Sequence, residues 1–257
     1  MRSAFNTFRR WSAVLSLTVL PQLASCSPQE VEKITPEPWA AKAPAEWPQI
    51  VLTNDTSFKG HTSLRGASAF LVQTQGGEIL AATARHLLGE NGGVEPQVTL
   101  QDLDHALQSW ILFPRTLPDR RATVAGLASP NGGGRNNDWL LLHLASTKDL
   151  PASPLRLRAT PVAVGETIHL IGVSYAEPEV AQKVYSGKVT QRAFGDRFRY
   201  DVNPPVDIRG FSGAPIVDDA GWVVGVMSVW FHPRMNGTLY LEAGGEDARS
   251  ALGILNP

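Results

Sequence analysis

The sequence predicts an all-β fold. Between about residue 50 and the C terminus the apolar segments are short, turn residues separate them, and one stretch near the end alone has helical character. Strands are expected over Ala67–Thr74, Glu78–Ala82, Val98–Leu103, Ser109–Phe113, Ala122–Leu127 and Trp139–Leu144. A second set, after Pro161, covers Thr167–Val173, Lys183–Gln191, Arg197–Val202, Ala214–Val217 and Trp222–Trp230. Gln75-Gly76-Gly77 and Asp219-Ala220-Gly221 are hairpin signals. Gly245–Leu255 is the expected helix, with an acidic start at Glu246-Asp247 and apolar positions after it. The two clusters are separated by a break near residues 145 to 160.

Upstream of this domain the chain opens with Arg2, Arg9 and Arg10, then the apolar run Trp11 to Leu20. That run is about half of the roughly 20 residues needed to span a bilayer, and small residues follow it, so residues 1–25 read as an export signal. Leu23-Ala24-Ser25-Cys26 resembles the bacterial lipobox, which implies lipidation of Cys26; ordinary cleavage beside an incidental cysteine is the alternative. Ser27 after the cysteine is similar to Gram-negative lipoproteins sent to the outer membrane. Residues 26–49 carry five prolines, several charges and few large aliphatics, and read as a Pro-rich tether unable to build a core of its own.

Composition excludes several classes. One cysteine rules out an intramolecular disulfide framework, so stability has to come from a core. Removing residues 1–25 takes away three arginines and no acid, leaving a mildly acidic chain. No basic run with interleaved aromatics argues for nucleic acid, and no repeat period is present. Arg192, Arg197 and Arg199 read as a solvated strand face. No metal or cofactor is expected.

The chemistry centres on Arg209-Gly210-Phe211-Ser212-Gly213-Ala214-Pro215. Here a serine lies between glycines, and the first glycine lets the amides of Gly210 and Ser212 converge on one small space, where an oxyanion could be held. Upstream, His86 in Thr83-Ala84-Arg85-His86 follows the apolar strand Ile79–Ala82, and a neutral imidazole there can take and return the serine proton. Asp138 heads the apolar run Trp139–Leu142 after the glycine-rich stretch Asn131–Asn136; Asp102, Asp104 and Asp119 are its rivals.

These motifs, in the order histidine, aspartate, serine, resemble those of the chymotrypsin-like (trypsin-fold) serine proteases, and the absence of cysteine after His86, where Leu87 stands, is similar to the disulfide-poor bacterial members. The resemblance implies two packed antiparallel six-stranded β-barrels with a short C-terminal helix, over residues 50–257, barrel one at about 50–150 and barrel two at about 155–257. It also implies a peptide or protein substrate, cleaved through a triad of His86, Asp138 and Ser212, with Gly210 and Ser212 as oxyanion donors. An α/β-hydrolase elbow would need glycine where Ala214 stands, and a subtilisin-like enzyme would have its aspartate first.

Phe211 departs from the family's acidic residue at that place, so activation by a freed N terminus is not expected. The 45 residues after Ser212 suffice for barrel closure, and no peptide-binding PDZ domain is expected. The resemblance places the base of the primary substrate pocket six residues before Ser212, which by ungapped counting is Val206 with Asp207 beside it; Ser228, in the strand Gly225–Trp230, resembles the family's substrate-binding serine, and Trp230 stands where its indole could narrow the pocket. The alternatives to an exported, membrane-anchored endopeptidase are a protease-fold module that binds peptides without turnover, and an esterase-like acyl transferase using the same triad.

Overall fold

The computed structural model describes residues 35–129, 137–193, 195–233 and 239–255. The signal segment, Cys26 and the glycine-rich stretch 131–136 therefore lie outside the described residues. Of the expected tether, residues 35–49 are described, and they run against the domain.

Barrel one is built from β1 (Leu52–Phe58), β2 (Leu64–Gln73), β3 (Ile79–Ala84), β4 (Leu107–Phe113), β5 (Ala122–Leu127) and β6 (Trp139–Leu144). Their order is β1-β4-β5-β6-β3-β2, and β2 pairs back onto β1 to close the ring. The two-residue strand β7 (Leu155–Arg156) adds to β2 in parallel. Barrel two is a closed antiparallel ring of β8 (Thr167–Gly172), β9 (Lys183–Arg192), β10 (Arg197–Val202), β11 (Pro215–Val217), β12 (Val223–Pro233) and β13 (Leu239–Asp247). The C-terminal helix spans Ala248–Leu255.

Each barrel fills with its inward-facing apolar residues. Leu52, Leu71, Trp110 and Leu142 lie in one core and Phe198, Phe211, Ile216 and Met227 in the other. A third cluster, with Phe70, Trp139, Leu141, Ile171 and Val226, joins the two barrels and packs the C-terminal helix. Burial of Trp139 there is accompanied by hydrogen bonds from its indole N–H to the carbonyls of Glu246 (3.3 Å) and Asp247 (3.0 Å), satisfying the one polar atom the ring carries.

Three elements differ from expectation, each for a local reason. Val98–Leu103 is not a strand: the Thr99 hydroxyl donates to the Asp102 carboxylate (2.6 Å), and Ala106 N–H bonds the Asp102 carbonyl (2.8 Å), so the segment curls into the helical turn Leu103–Ala106. Strand β1 carries Asn54 at a buried position, where it accepts from the Trp110 indole at 3.0 Å; its polar sequence hides a core strand. Strand β13 extends through Gly245, Glu246 and Asp247, which read as the start of the helix, because pairing with β12 and the Phe198 ring lying over Gly245 outweigh local propensity. The helix begins at Ala248 instead.

Residues 35–49 borrow a core from barrel two. Glu37 N–H bonds the Ala220 carbonyl (2.8 Å), the Trp222 indole bonds the Thr35 carbonyl (3.0 Å), and Glu37 pairs with Arg156 (3.4 Å). Trp47, 8% exposed, sets its ring edge-on to Trp39 (4.9 Å) and to His169 (5.4 Å). Two tryptophans compensate for the missing aliphatics.

Candidate active site

His86 and Asp138 are brought together by the antiparallel pair β3–β6, in which Ala84 faces Trp139. His86 lies two residues beyond the end of β3, on a tight turn over Arg85–Leu88, and Asp138 one residue before β6. Arg85 N–H bonds the Asp138 carbonyl (2.6 Å) and His86 N–H bonds Asp138 Oδ1 (2.8 Å). His86 Nδ1 then lies 2.7 Å from Asp138 Oδ2, with both side chains 12% exposed. A carboxylate only accepts, so this contact places the proton on Nδ1 and leaves Nε2 with a lone pair. On the other side of Asp138, Asn137 accepts from Trp139 N–H (2.8 Å) and donates to the Ser250 carbonyl (3.2 Å), which fixes the start of β6. Among the rivals, Asp102 and Asp104 are engaged with Thr99 and Leu127 N–H, away from His86.

Ser212 sits on the loop between β10 and β11. Ile208–Phe211 form a tight turn closed by Phe211 N–H to the Ile208 carbonyl (3.0 Å), with Gly210 at φ +100° in its third position, a type II turn that excludes side chains there. The Arg209 carbonyl accepts from Tyr175 N–H (2.9 Å). Because C=O and N–H oppose each other across a trans peptide, that bond turns the Gly210 N–H to the opposite side. The carbonyls of Gly210 and Ser212 are both taken by Ser68, through its hydroxyl (2.8 Å) and its N–H (2.8 Å). Among the described residues neither Gly210 N–H nor Ser212 N–H has an acceptor. Gly213, at φ +84°, lets the loop press onto β2 and β3, where a Cβ would meet the Ser68 carbonyl at 2.2 Å.

His86, Gly210 and Ser212 line one cleft of about 340 Å³, bounded also by Leu64, Leu87, Tyr175, Ile208, Arg209 and Val229. Of the residues expected to form its specificity pocket, Val206, Asp207 and Ser228 are not among those that line this cleft. Val206 packs half-buried against the core of barrel two, and Ile208, two positions on, reaches the cleft in its place. Asp207 is exposed, and the hydrogen bonds of Arg209 hold its carboxyl down at about 2, so it faces its neighbour and not a substrate. Ser228 is fully buried, and its hydroxyl donates to Asp138 Oδ2 (2.5 Å). Trp230 is in β12, but its side chain is outside the described residues. Residues 203–209 form an irregular, largely exposed loop, where residue number does not track depth.

Two contributors were not anticipated. Tyr175 holds the Gly210 turn by its backbone, packs its ring beside Gly210, and accepts Ala67 N–H on its hydroxyl (2.6 Å). Thr83 Oγ1 donates to the Ser68 carbonyl (2.7 Å), tying β3 to the strand that grips the serine loop. The threonine was visible in the Thr83–His86 motif, whereas Tyr175, in a polar loop after β8, carried no signal.

Comparison with known proteins bears on this arrangement. Residues 67–226 match the family described as the trypsin-like peptidase domain. No curated protein matches the chain. Similar solved structures include an HtrA-type protease, AlgW with tripeptide, at 20% identity, covering 81% of this chain and 59% of that one with a TM-score of 0.51. Another is the Rv3671c protease from M. tuberculosis in its active form, at 18% identity, 86% and 87% coverage and a TM-score of 0.52. The chain thus spans 59% of the length of the HtrA-type protease, and at these identities the likeness concerns the fold. With the family match running over well more than half of its length, from β2 into β12, the chain belongs to the trypsin-like peptidases.

Proposed function

We propose that the chain is a serine endopeptidase in which Ser212 is the nucleophile, His86 the general base and acid, and Asp138 the group that orients His86. The observation that carries this reading is the 2.7 Å contact between Asp138 and His86 at the rim of the cleft that Ser212 and Gly210 also line. Ser212 Oγ attacks the scissile carbonyl carbon as its proton passes to His86 Nε2. The carbonyl electron pair moves onto oxygen, where the amides of Gly210 and Ser212 donate to it. His86 then protonates the leaving amine, and water, activated the same way, releases the acyl group and regenerates Ser212. Leu64, Leu87, Ile208 and Val229 make the cleft largely apolar, which favours apolar over strictly basic side chains at the cleaved bond.

The same reading includes export and a lipid anchor on Cys26 in the bacterial outer membrane, supported by the sequence Leu23-Ala24-Ser25-Cys26 after an apolar run. Two or more acyl chains hold a protein firmly at a bilayer. Metabolic labelling with a fatty-acid analogue is expected in the full chain and absent in Cys26→Ser; equal labelling of both rejects the anchor.

Catalysis is tested by labelling the full chain with a serine-reactive fluorophosphonate. Labelling lost in both Ser212→Ala and His86→Ala is the expected result. A folded chain that takes no label rejects the enzyme and returns to the peptide-binding module.

A further inference from the structure

Next to the cleft, on the far side of Tyr175, lies a second hollow of about 270 Å³, edged by Arg65, Gly66, Phe113, Arg115, Tyr175 and Pro178. Tyr175 is common to both cavities, so the hollow adjoins the cleft that Ser212 and Gly210 line. Its two charged lining residues are both cationic. Arg115 is half-buried, its guanidinium lies 5.9 Å over the Tyr175 ring, and one nitrogen donates to the Ser174 carbonyl (2.9 Å). Among the described residues it has no carboxylate partner. Partial burial lowers its pKa from the ordinary arginine value, yet a guanidinium stays charged at neutral pH. Arg65 lies 6.0 Å over the Phe113 ring and meets Asp55 loosely, at 3.6 Å between exposed side chains.

A guanidinium stacked on a ring and pinned by one nitrogen keeps its remaining N–H groups in a fixed plane, an arrangement suited to a carboxylate. Half-burial strengthens that attraction, whereas Asp55 sits where solvent screens it. An extended peptide advances about 3.3 Å per residue, so groups within a few residues of the cleaved bond come within reach.

We propose that this hollow is a binding subsite for a carboxylate of the peptide substrate, and that the enzyme selects peptides carrying an acidic group within a few residues of the cleaved bond. The proposal rests on the peptidase reading for its ligand. The carboxylate can belong to Asp or Glu, or to the free C terminus of the peptide.

The test is digestion of a mixed peptide library by the full chain, with the residues flanking each cleavage read by mass spectrometry. Asp and Glu are expected to be enriched about tenfold at one position. The enrichment should shrink in high salt and disappear when Arg65 and Arg115 are both replaced by Leu. Cleavage clustered near peptide ends and abolished by C-terminal amidation would assign the terminal carboxylate as the ligand. The enrichment ratio cancels any general loss of turnover in the variants. An even distribution, or an enrichment that survives both replacements, overturns the subsite. A second arm needs no turnover: the full-length Ser212→Ala chain should bind fluorescent hexapeptide pools containing one Glu about tenfold more tightly than pools containing one Gln. Equal binding of the two pools, or none, overturns the subsite even where the fluorophosphonate experiment has already rejected catalysis.

Discussion

Ser228 Oγ donates to the same Asp138 oxygen that faces the His86 ring, at 2.5 Å against 2.7 Å, while the other carboxylate oxygen takes the His86 N–H. The carboxylate is therefore held from three directions, and Ser228 fixes the position of the very oxygen that orients the imidazole. Ser228→Ala leaves the backbone of β12 intact but removes one charge-assisted bond worth about 1.5–3 kcal/mol. We expect kcat to fall roughly tenfold or more with KM little changed, measured on a peptide ester. A change confined to KM would return Ser228 to the substrate pocket.

Gly210 is the second point of sensitivity. At φ +100° an alanine is strained, and its Cβ would lie 2.9 Å from the Tyr175 ring and 3.0 Å from the Val173 carbonyl. Relief of that clash turns the peptide and carries the Gly210 N–H with it. Gly210→Ala should lower kcat by about 10² to 10³, the usual cost of one oxyanion donor. Tyr175→Phe keeps the ring and the backbone bond to Arg209 but strands Ala67 N–H, so a smaller loss is expected. Burst kinetics with an activated ester separate the two, because acylation slows in both and by more in Gly210→Ala.

These two sites differ in how readable they are from sequence. His86, Asp138 and Ser212 each stand beside a strand end, in short motifs whose residue types the chemistry restricts, and the strands that present them have plain apolar runs. The bond from Ser228 to Asp138 was not legible because a strand pattern tells which face a residue is on, not which atom its hydroxyl meets. Around Val206 and Asp207 an irregular loop breaks the link between counting and geometry. Strand β13 was missed for a related reason, since its Gly245 lies against the ring of Phe198, distant in sequence. Two barrels follow from the family likeness; the strands alone give only the β class.

The segment before β1 makes a further prediction. Trp47 is buried against Trp39, His169 and barrel two. Trp47→Ala should destabilise the domain by about 3–5 kcal/mol, the range for deleting a large buried ring. Thermal unfolding of the full chain measures it. A segment that acted only as a loose tether would lose nothing, and the melting temperature would not move.

Glu246 gives the fold a pH dependence opposite to that of most carboxylates. Burial pushes its carboxyl up to about 7, with repulsion from Asp138 adding to the effect and the nearby Arg197 guanidinium, 3.4 Å away, opposing it. The native state thus binds this proton more tightly than the unfolded chain does. Between the ordinary glutamate value of about 4.5 and about 7 the native protein carries more protons, and stability falls as pH rises. The contribution is complete below that window and lost above it. At pH 8 the charged Glu246 costs up to about 3 kcal/mol relative to its protonated form. Glu246→Gln, which keeps the shape and removes the titration, should flatten the decline in melting temperature between pH 5 and 8 and leave the variant the more stable protein at pH 8. A wild-type curve that rises over that range would mean that the ion pair with Arg197 outweighs burial, and that Glu246 is charged in the native state throughout.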